Sequence, residues 1–226
     1  SLERDSNQTY GLDANLLLRQ DLQISAILAN TSTPGLHSHT GFGKIETDWQ
    51  NNLWRFYSAY ADIQKNFNPQ VGFVRRPGRR LIQELVELRP HLEKGMPFGS
   101  FIRDISLASN FEYAFLSDGR TETKTFADPT GNIEFQDGGT FNYSYNHSFE
   151  RLTQSFTVHT HRIPVGDYRS SGYLLGYTSS KRRMLSGNLS LRRQDYYTGD
   201  QTVWTWGGLL RATYRLSSLL SYQITP

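Results

Sequence analysis

The chain has 226 residues, with 13 Tyr, 13 Phe, no Cys and a formal charge of +3. The missing cysteines exclude a disulfide framework and thiol chemistry, and no apolar run reaches the roughly 18 residues of a membrane helix. A pI near 9.1 permits contact with phosphates but makes no demand for nucleic acid, because acidic residues nearly balance basic ones.

Mean hydropathy is −0.57 although 13% of residues are aromatic. That combination suits a chain in which every second residue meets water. Ser1 opens the sequence without a leader pattern, so a mature chain or an internal piece of a longer one is expected. No linker-like stretch or fixed-length repeat interrupts it, and residues 1–226 read as a single domain.

The dominant signal is the period of two that marks strands. Tyr10, Leu12, Ala14, Leu16 and Leu18 alternate with Gly11, Asp13, Asn15 and Leu17. Leu22, Ile24, Ala26 and Leu28 alternate with Gln23, Ser25 and Ile27. The polar pair Gln20-Asp21 between them predicts a hairpin. Leu53 to Gln64 reads as a mixed aromatic strand. The next segment, Arg80 to Pro90, has Leu81, Leu85 and Leu88 at helical spacing. A short helix ending before Pro90 and a strand both fit it, and its neighbours favour a strand.

Phe101, Ile105, Leu107, Phe111, Tyr113 and Phe115 share one parity and end at the turn Ser117-Asp118-Gly119. Thr121 to Phe126 and Ile133 to Phe135 continue the pattern up to Gly138-Gly139. Residues 141–150 then place Phe141, Tyr143, Tyr145 and Phe149 on one side. Asn142, Ser144, Asn146, Ser148 and Glu150 fall on the other. His147 falls on the aromatic side, so it is expected near an interface or at a bend. Tyr173 to Thr178, Leu185 to Leu191, Trp204 to Leu216 and Leu220 to Ile224 complete roughly eleven or twelve strands.

Hairpins that follow one another without intervening helices predict an antiparallel meander. The fold expected is all-β, an antiparallel up-and-down transmembrane β-barrel, whole or as an incomplete part of a larger barrel. Several patterned segments run to about ten residues, which is what a tilted strand needs to cross the hydrocarbon layer. One parity carries Asn, Ser, Thr, Gln and Arg, as a watery lumen requires. The other carries Leu, Phe, Tyr and Trp, as lipid requires. A soluble β-sandwich binding module also has one apolar and one polar face and is the alternative.

Three patches carry a resemblance. They are residues 66–76 (Asn66-Phe-Asn-Pro-Gln-Val-Gly-Phe-Val-Arg-Arg), Phe149-Glu-Arg-Leu with Ile163-Pro-Val-Gly-Asp-Tyr168, and Arg182-Arg183 with Asp195-Tyr-Tyr-Thr-Gly199. Tyr10-Gly-Leu-Asp13 fits as well. In order and spacing they resemble the C-terminal barrel domain of large bacterial outer-membrane proteins. In those proteins the N-terminal part is similar to a family 9 carbohydrate-binding module. The resemblance implies a bacterial outer-membrane location, a barrel architecture and a link to carbohydrate, with no activity to carry over. The chain departs from the family in lacking the preceding module and in stopping at Thr225-Pro226, where the family continues with further strands.

Phe67, Asn68, Pro69, Gly72, Phe73 and Arg75 form the most specific motif. Asn68-Pro69 is turn chemistry, and Gly72 permits backbone shapes that other residues resist. A shaped turn packing Phe67 and Phe73 is expected ahead of a ligand-contacting loop. Arg76, Arg79 and Arg80 flank Pro77-Gly78, and Lys181, Arg182 and Arg183 form a second basic turn. They are candidate contacts for lipid headgroup or lipopolysaccharide phosphates, weighed against plain solvated loop charge.

His37 with His39, and His159 with His161, have a metal-compatible spacing but no third ligand nearby, and neither a metal nor a cofactor is expected. Asp13, Asp62, Glu84, Glu87, Asp104, Glu112, Glu134 and Glu150 are scattered lumen carboxylates. A polysaccharide hydrolase would need two of them as acid and base. Trp49 and Trp54 offer stacking faces for sugars. Trp204 and Trp206 share a parity with Leu210, Ala212 and Tyr214, which a lipid-interface belt explains more simply. The expected function is therefore a non-enzymatic outer-membrane anchor, channel or display component. Its expected partners are membrane lipid, carbohydrate and other envelope proteins.

Overall fold

The computed structural model describes residues 6–70, 74, 76–158, 160–197, 199–211 and 217–225. Gly72, Phe73, Arg75, His159, Ala212 and Tyr214 from the sequence reading lie outside them. The described residues are all-β, without a helix. The strands are β1 (Gln8–Leu18), β2 (Leu22–Ser32), β3 (Gly41–Gln50), β4 (Trp54–Ile63), β5 (Arg79–Leu88), β6 (Ile102–Leu116) and β7 (Thr121–Phe135). They continue with β8 (Thr140–Leu152), β9 (Phe156–Val158), β10 (His161–Ile163), β11 (Gly166–Thr178), β12 (Leu185–Tyr196), β13 (Gly199–Arg211) and β14 (Ser217–Ile224).

Twelve strands form one antiparallel up-and-down sheet, ordered β1 to β8 and then β11 to β14, and β9 and β10 pair as a separate small hairpin. Among the described residues β1 is paired with β2 alone and β14 with β13 alone. The chain forms two compact units. One comprises Ser1–Asn51, Arg55–Leu85 and Phe111–Lys124; the other comprises Asn52–Trp54, Val86–Asn110 and Thr125–Pro226.

In the first unit the predicted hairpin is present, with Leu18 opposite Leu22 across Arg19-Gln20-Asp21. The Trp49 indole donates to the Asp21 carboxylate at 3.0 Å and ties the next hairpin to this turn. Registry fixes the faces. Leu12 lies opposite Leu28, Leu16 opposite Ile24, Ala26 opposite Ile45, and Ile45 opposite Tyr60. The opposite face carries Asn15 beside Ser25, and Glu46 beside Ala59. On that face Arg55 grips Asp48 with two bonds of 3.0 and 2.7 Å, and Tyr57 donates to Glu46 at 3.1 Å.

On the polar face of β4, Ala59 is 5% exposed and Ala61 7%. Leu12 is 73% exposed, Leu28 63% and Ile45 50%. Large apolar side chains cover one face of the sheet, and alanines and ion pairs share the other. That is the reverse of a soluble core.

The second unit repeats the arrangement. Phe141, Tyr177, Leu189, Trp206 and Tyr222 form one row across β8, β11, β12, β13 and β14. Tyr143, Leu175, Leu191, Trp204 and Ile224 form the row beside it. The next rows turn polar: Tyr145 and Tyr173 lead to Arg193 and Thr202, and His147 lies opposite Ser171. Ser171 donates its hydroxyl to Asp195 at 2.7 Å, and Asp195 lies opposite Asp200. His147 thus sits where the apolar rows end, stacked on Phe126 with ring centroids 4.6 Å apart.

Strand β7 changes parity along its length. Phe126 meets His147, while Phe135 meets Tyr177 at 6.2 Å. Both partners belong to the aromatic face, yet 126 and 135 differ in parity. One extra residue must therefore enter between them, which is the signature of a bulge. Pro129 and Gly131 occupy this stretch, as expected of residues that weaken a regular ladder.

The segment that the sequence left between helix and strand is strand β5. Strand β3, which the sequence reading did not single out, is a full member of the sheet. On its apolar side Gly41, Gly43 and Thr47 leave only Ile45 and Trp49 as apolar positions, against Lys44, Glu46 and Asp48 on the other, so its alternation is weak.

Candidate functional site

The most specific sequence motif is structural where it is described. Phe67 is buried, and its ring stacks on Phe42 at 5.5 Å. The Asn68 amide donates to the Thr31 hydroxyl at 3.1 Å, and its carbonyl accepts from Asn7 at 2.9 Å. Pro69 follows in the same loop, outside any strand. The motif therefore pins the connection after β4 onto the end of β2.

The candidate phosphate contacts separate into paired and unpaired groups. Arg76 and Arg79 both reach Glu122 at the start of β7, Arg76 at 3.1 Å. Arg79 and Glu122 are largely enclosed, with side chains 13% and 11% exposed. A carboxylate between two guanidiniums is a stabilising clamp, and it takes up the donors that a phosphate would otherwise use. Glu122 was not among the carboxylates singled out by sequence. Its partners lie 43 and 46 residues away. Arg80 lies 3.5 Å from Asp62.

In the second unit Arg183 pairs with Asp137, and the Lys181 carbonyl accepts from Arg211 at 2.6 Å. The Arg182 amide donates to Ser180 at 3.3 Å. Among the described residues no ion pair engages the Lys181 or Arg182 side chain. The Asp137 carboxylate accepts from the Gly139 amide at 2.8 Å. That bond, with the Arg183 charge, holds its pKa below the usual carboxylate range.

Five of the carboxylates named from the sequence are held by neighbours. Glu87 accepts from Ser106 at 2.7 Å, Glu112 from Gln83 at 2.7 Å, and Glu84 from Ser58 at 2.9 Å. Asp104 meets His91 at 2.6 Å and also Arg103, which reaches Glu134 as well. Each is engaged in a local bond to a neighbouring strand or loop. Among the described residues no three His, Asp or Glu side chains converge as a metal site would require.

What the sequence did not show is a cavity on the polar face of the second unit. It has a volume of about 430 Å³ and is lined by Ser144, Asn146 and Ser148 of β8, Ser170 of β11, and Arg192 and Gln194 of β12. Gly172 lies between Asn146 and Gln194 in the registry. A Cβ there would stand 2.6 Å from the Arg193 carbonyl oxygen, so only glycine permits this approach of the strands. Its missing side chain opens the floor of the cavity. Beyond Ser148 the same face carries Glu150, which accepts from Tyr197 at 2.8 Å. Tyr197 packs edge-on against Tyr168 at 5.0 Å and Phe156 at 5.5 Å.

No family model matches the sequence, and no curated protein or solved structure matches it. The class of protein is therefore the one the coordinates define. It is an all-β chain in an antiparallel up-and-down sheet, with an exposed apolar face and a networked polar face.

Proposed function

We propose that this chain is the wall of a bacterial outer-membrane β-barrel, whole or part of a larger one. Its apolar face meets lipid and its polar face lines water. The observation that carries the reading is the pair of apolar rows across five strands, Phe141 to Tyr222 and Tyr143 to Ile224. In water, each fully exposed Leu or Phe forgoes about 1.5–3 kcal/mol of burial. A patch this continuous needs a cover. Lipid supplies one without a second sheet. Barrel closure would also satisfy the edges of β1 and β14, which hydrocarbon does not tolerate unpaired. Strands of 10 to 15 residues, such as β5 and β6, are long enough to span at a tilt.

The basic turn Lys181-Arg182-Arg183 supports the same reading. Only Met184 separates it from Leu185, the first residue of the apolar rail of β12. Its cations would lie at the rim, within reach of phosphates of lipid or lipopolysaccharide. In this reading the chain serves as anchor, channel or display platform. The sequence resemblance adds a link to carbohydrate and to other envelope proteins.

Quenching by acyl-chain-brominated lipid tests the reading. A variant keeping only Trp204 and Trp206, with Trp49 and Trp54 changed to Phe, is reconstituted in vesicles. Strong quenching is expected. A monodisperse monomer in detergent-free buffer, with unquenched tryptophans when vesicles are added, would overturn it.

A further inference from the structure

The cavity over Gly172 has chemistry that the membrane reading does not use. Its lining carries neutral amides and hydroxyls, the carbon surface of Leu174 and Tyr173, and two arginines, of which Arg193 is paired with Asp200 and Arg192 is not. No acidic residue lines it. Several side chains of this face are already bonded to one another: Ser148 with Ser170 at 2.7 Å, Glu150 with Tyr197 at 2.8 Å, and Ser144 donating to Asn146 at 3.1 Å.

The donors that stay open converge on the cavity. The Asn146 amide nitrogen, the Gln194 side chain and the Arg192 guanidinium have no hydrogen-bond or ion-pair partner among the described residues. Most of the arginines with ion pairs hold their carboxylate on their own or an adjacent strand or turn, as Arg55 holds Asp48 and Arg151 holds Asp167. Arg192 lies opposite Leu174 and Val203 and has no such neighbour.

We infer that this cavity is a binding site for an acidic sugar, a hydroxyl-rich ligand carrying one carboxylate. Amides and hydroxyls both donate and accept, so they pair with sugar hydroxyls. A guanidinium without an internal carboxylate takes an external one in a two-pronged, charge-assisted bond. The volume of about 430 Å³ lies within the 300–1,000 Å³ range of small-ligand pockets. Leu174 and Tyr173 also line it and offer carbon surface to the apolar face of a sugar ring. The ring cluster of Tyr168, Tyr197 and Phe156, one step along the same face, offers a stacking surface to a longer sugar chain. The site needs the polar face to be wet and does not depend on barrel closure or membrane insertion.

The test is calorimetric binding of the detergent-solubilised full chain to oligogalacturonate and to the corresponding neutral galactose oligomer. The acidic oligomer is expected to bind more tightly. Arg192→Gln is expected to cut its affinity about ten- to a hundredfold, the worth of a charge-assisted bond, and to leave the neutral oligomer unchanged. Asn146→Ala is expected to weaken both. Circular dichroism of each variant separates lost binding from lost fold. No binding of either oligomer by the unaltered chain overturns the site, as does an acidic preference that survives Arg192→Gln. Lipid quenching without sugar binding would overturn this site alone. Sugar binding without lipid quenching would overturn the membrane reading alone.

Discussion

Tyr143 donates its hydroxyl to the Ser106 carbonyl oxygen at 2.9 Å, passing over Gly131. A Cβ at Gly131 would lie 2.0 Å from that carbonyl oxygen and 3.0 Å from the Tyr143 hydroxyl. The glycine therefore makes the gap and the tyrosine closes it, at the place where β7 gains its extra residue. Tyr143→Phe is expected to lose about 1 kcal/mol, the net worth of one hydrogen bond. Gly131→Ala is expected to cost more, about 3 kcal/mol, because backbone must move to admit the methyl. Denaturant unfolding in a fixed detergent measures both. A neutral Gly131→Ala would show that the strands are not held this closely.

The same region shows why the sequence was legible only in places. The two hairpin strands β1 and β2 were readable because every other residue is apolar from Tyr10 to Leu18 and from Leu22 to Leu28, and Gln20-Asp21 marks the turn. Strand β7 was read as two pieces because its parity breaks between Phe126 and Phe135, and a pattern of period two cannot survive an added residue. Strand β3 was missed because Gly41, Gly43 and Thr47 interrupt its apolar side and leave only Ile45 and Trp49 to mark the period. At Arg80 to Pro90 three leucines fell at helical spacing by chance, and pairing within the sheet decided the matter, since no strand can be left out of a ladder without exposing its neighbours' amides.

The polar rail Asn142 to Glu150 was visible in the sequence, but the cavity beside it was not. The cavity depends on Gly172 standing between Asn146 and Gln194, a registry of three strands that no local pattern encodes. The Glu122 clamp was hidden for a similar reason: its partners are remote in the chain.

Glu122 is the more consequential member of that clamp. Its carboxylate and the Arg79 guanidinium are both largely enclosed, while Arg76 is half exposed. Removing one partner of an enclosed pair strands the other's charge, which costs about 3–5 kcal/mol. Glu122→Gln is therefore expected to fall in that range. Arg76→Gln should cost no more than about 1 kcal/mol, because an exposed pair is worth little. Thermal or denaturant unfolding of the two variants gives the comparison, and equal losses would mean that Arg76, not burial, dominates the clamp.

The turn carboxylates predict acid sensitivity. The Asp137 carboxyl is held below its ordinary pKa by the Gly139 amide and the Arg183 charge. The Asp118 carboxyl is held down by the Arg120 amide at 3.0 Å and by its guanidinium at 2.7 Å. A folded-state pKa below the unfolded value means that the ionised carboxylate favours the folded turn. The contribution is fully present above the unfolded value of about 3.9. It is lost as pH falls through the lower folded value. Asp137→Asn should remove its share at neutral pH and flatten the stability profile in the acid range. Unfolding measured from about pH 6 to about pH 3 checks this; a variant whose profile keeps the full acid slope would contradict it.

Depth along the apolar face gives the sharpest contrast. Leu175 lies between Tyr143 and Leu191 in the row that runs to Ile224, and His147 lies where the rows turn polar beside Ser171. Both stand on the same face, two turns of the pleat apart. In a bilayer, arginine on the lipid face costs about 2–4 kcal/mol at mid-depth and about 0–1 kcal/mol near the interface. Leu175→Arg should therefore destabilise the reconstituted chain by at least about 2 kcal/mol more than its rim counterpart, less any loss of the His147–Phe126 stack, which is 4.6 Å between centroids. On a sheet face in water the order reverses. Leu175 is 41% exposed, and arginine there would be nearly neutral, whereas His147→Arg would lose its stack. Unfolding from vesicles, repeated in detergent, reads the sign of the difference, and a Leu175→Arg variant no weaker than His147→Arg in lipid would remove this face from the bilayer.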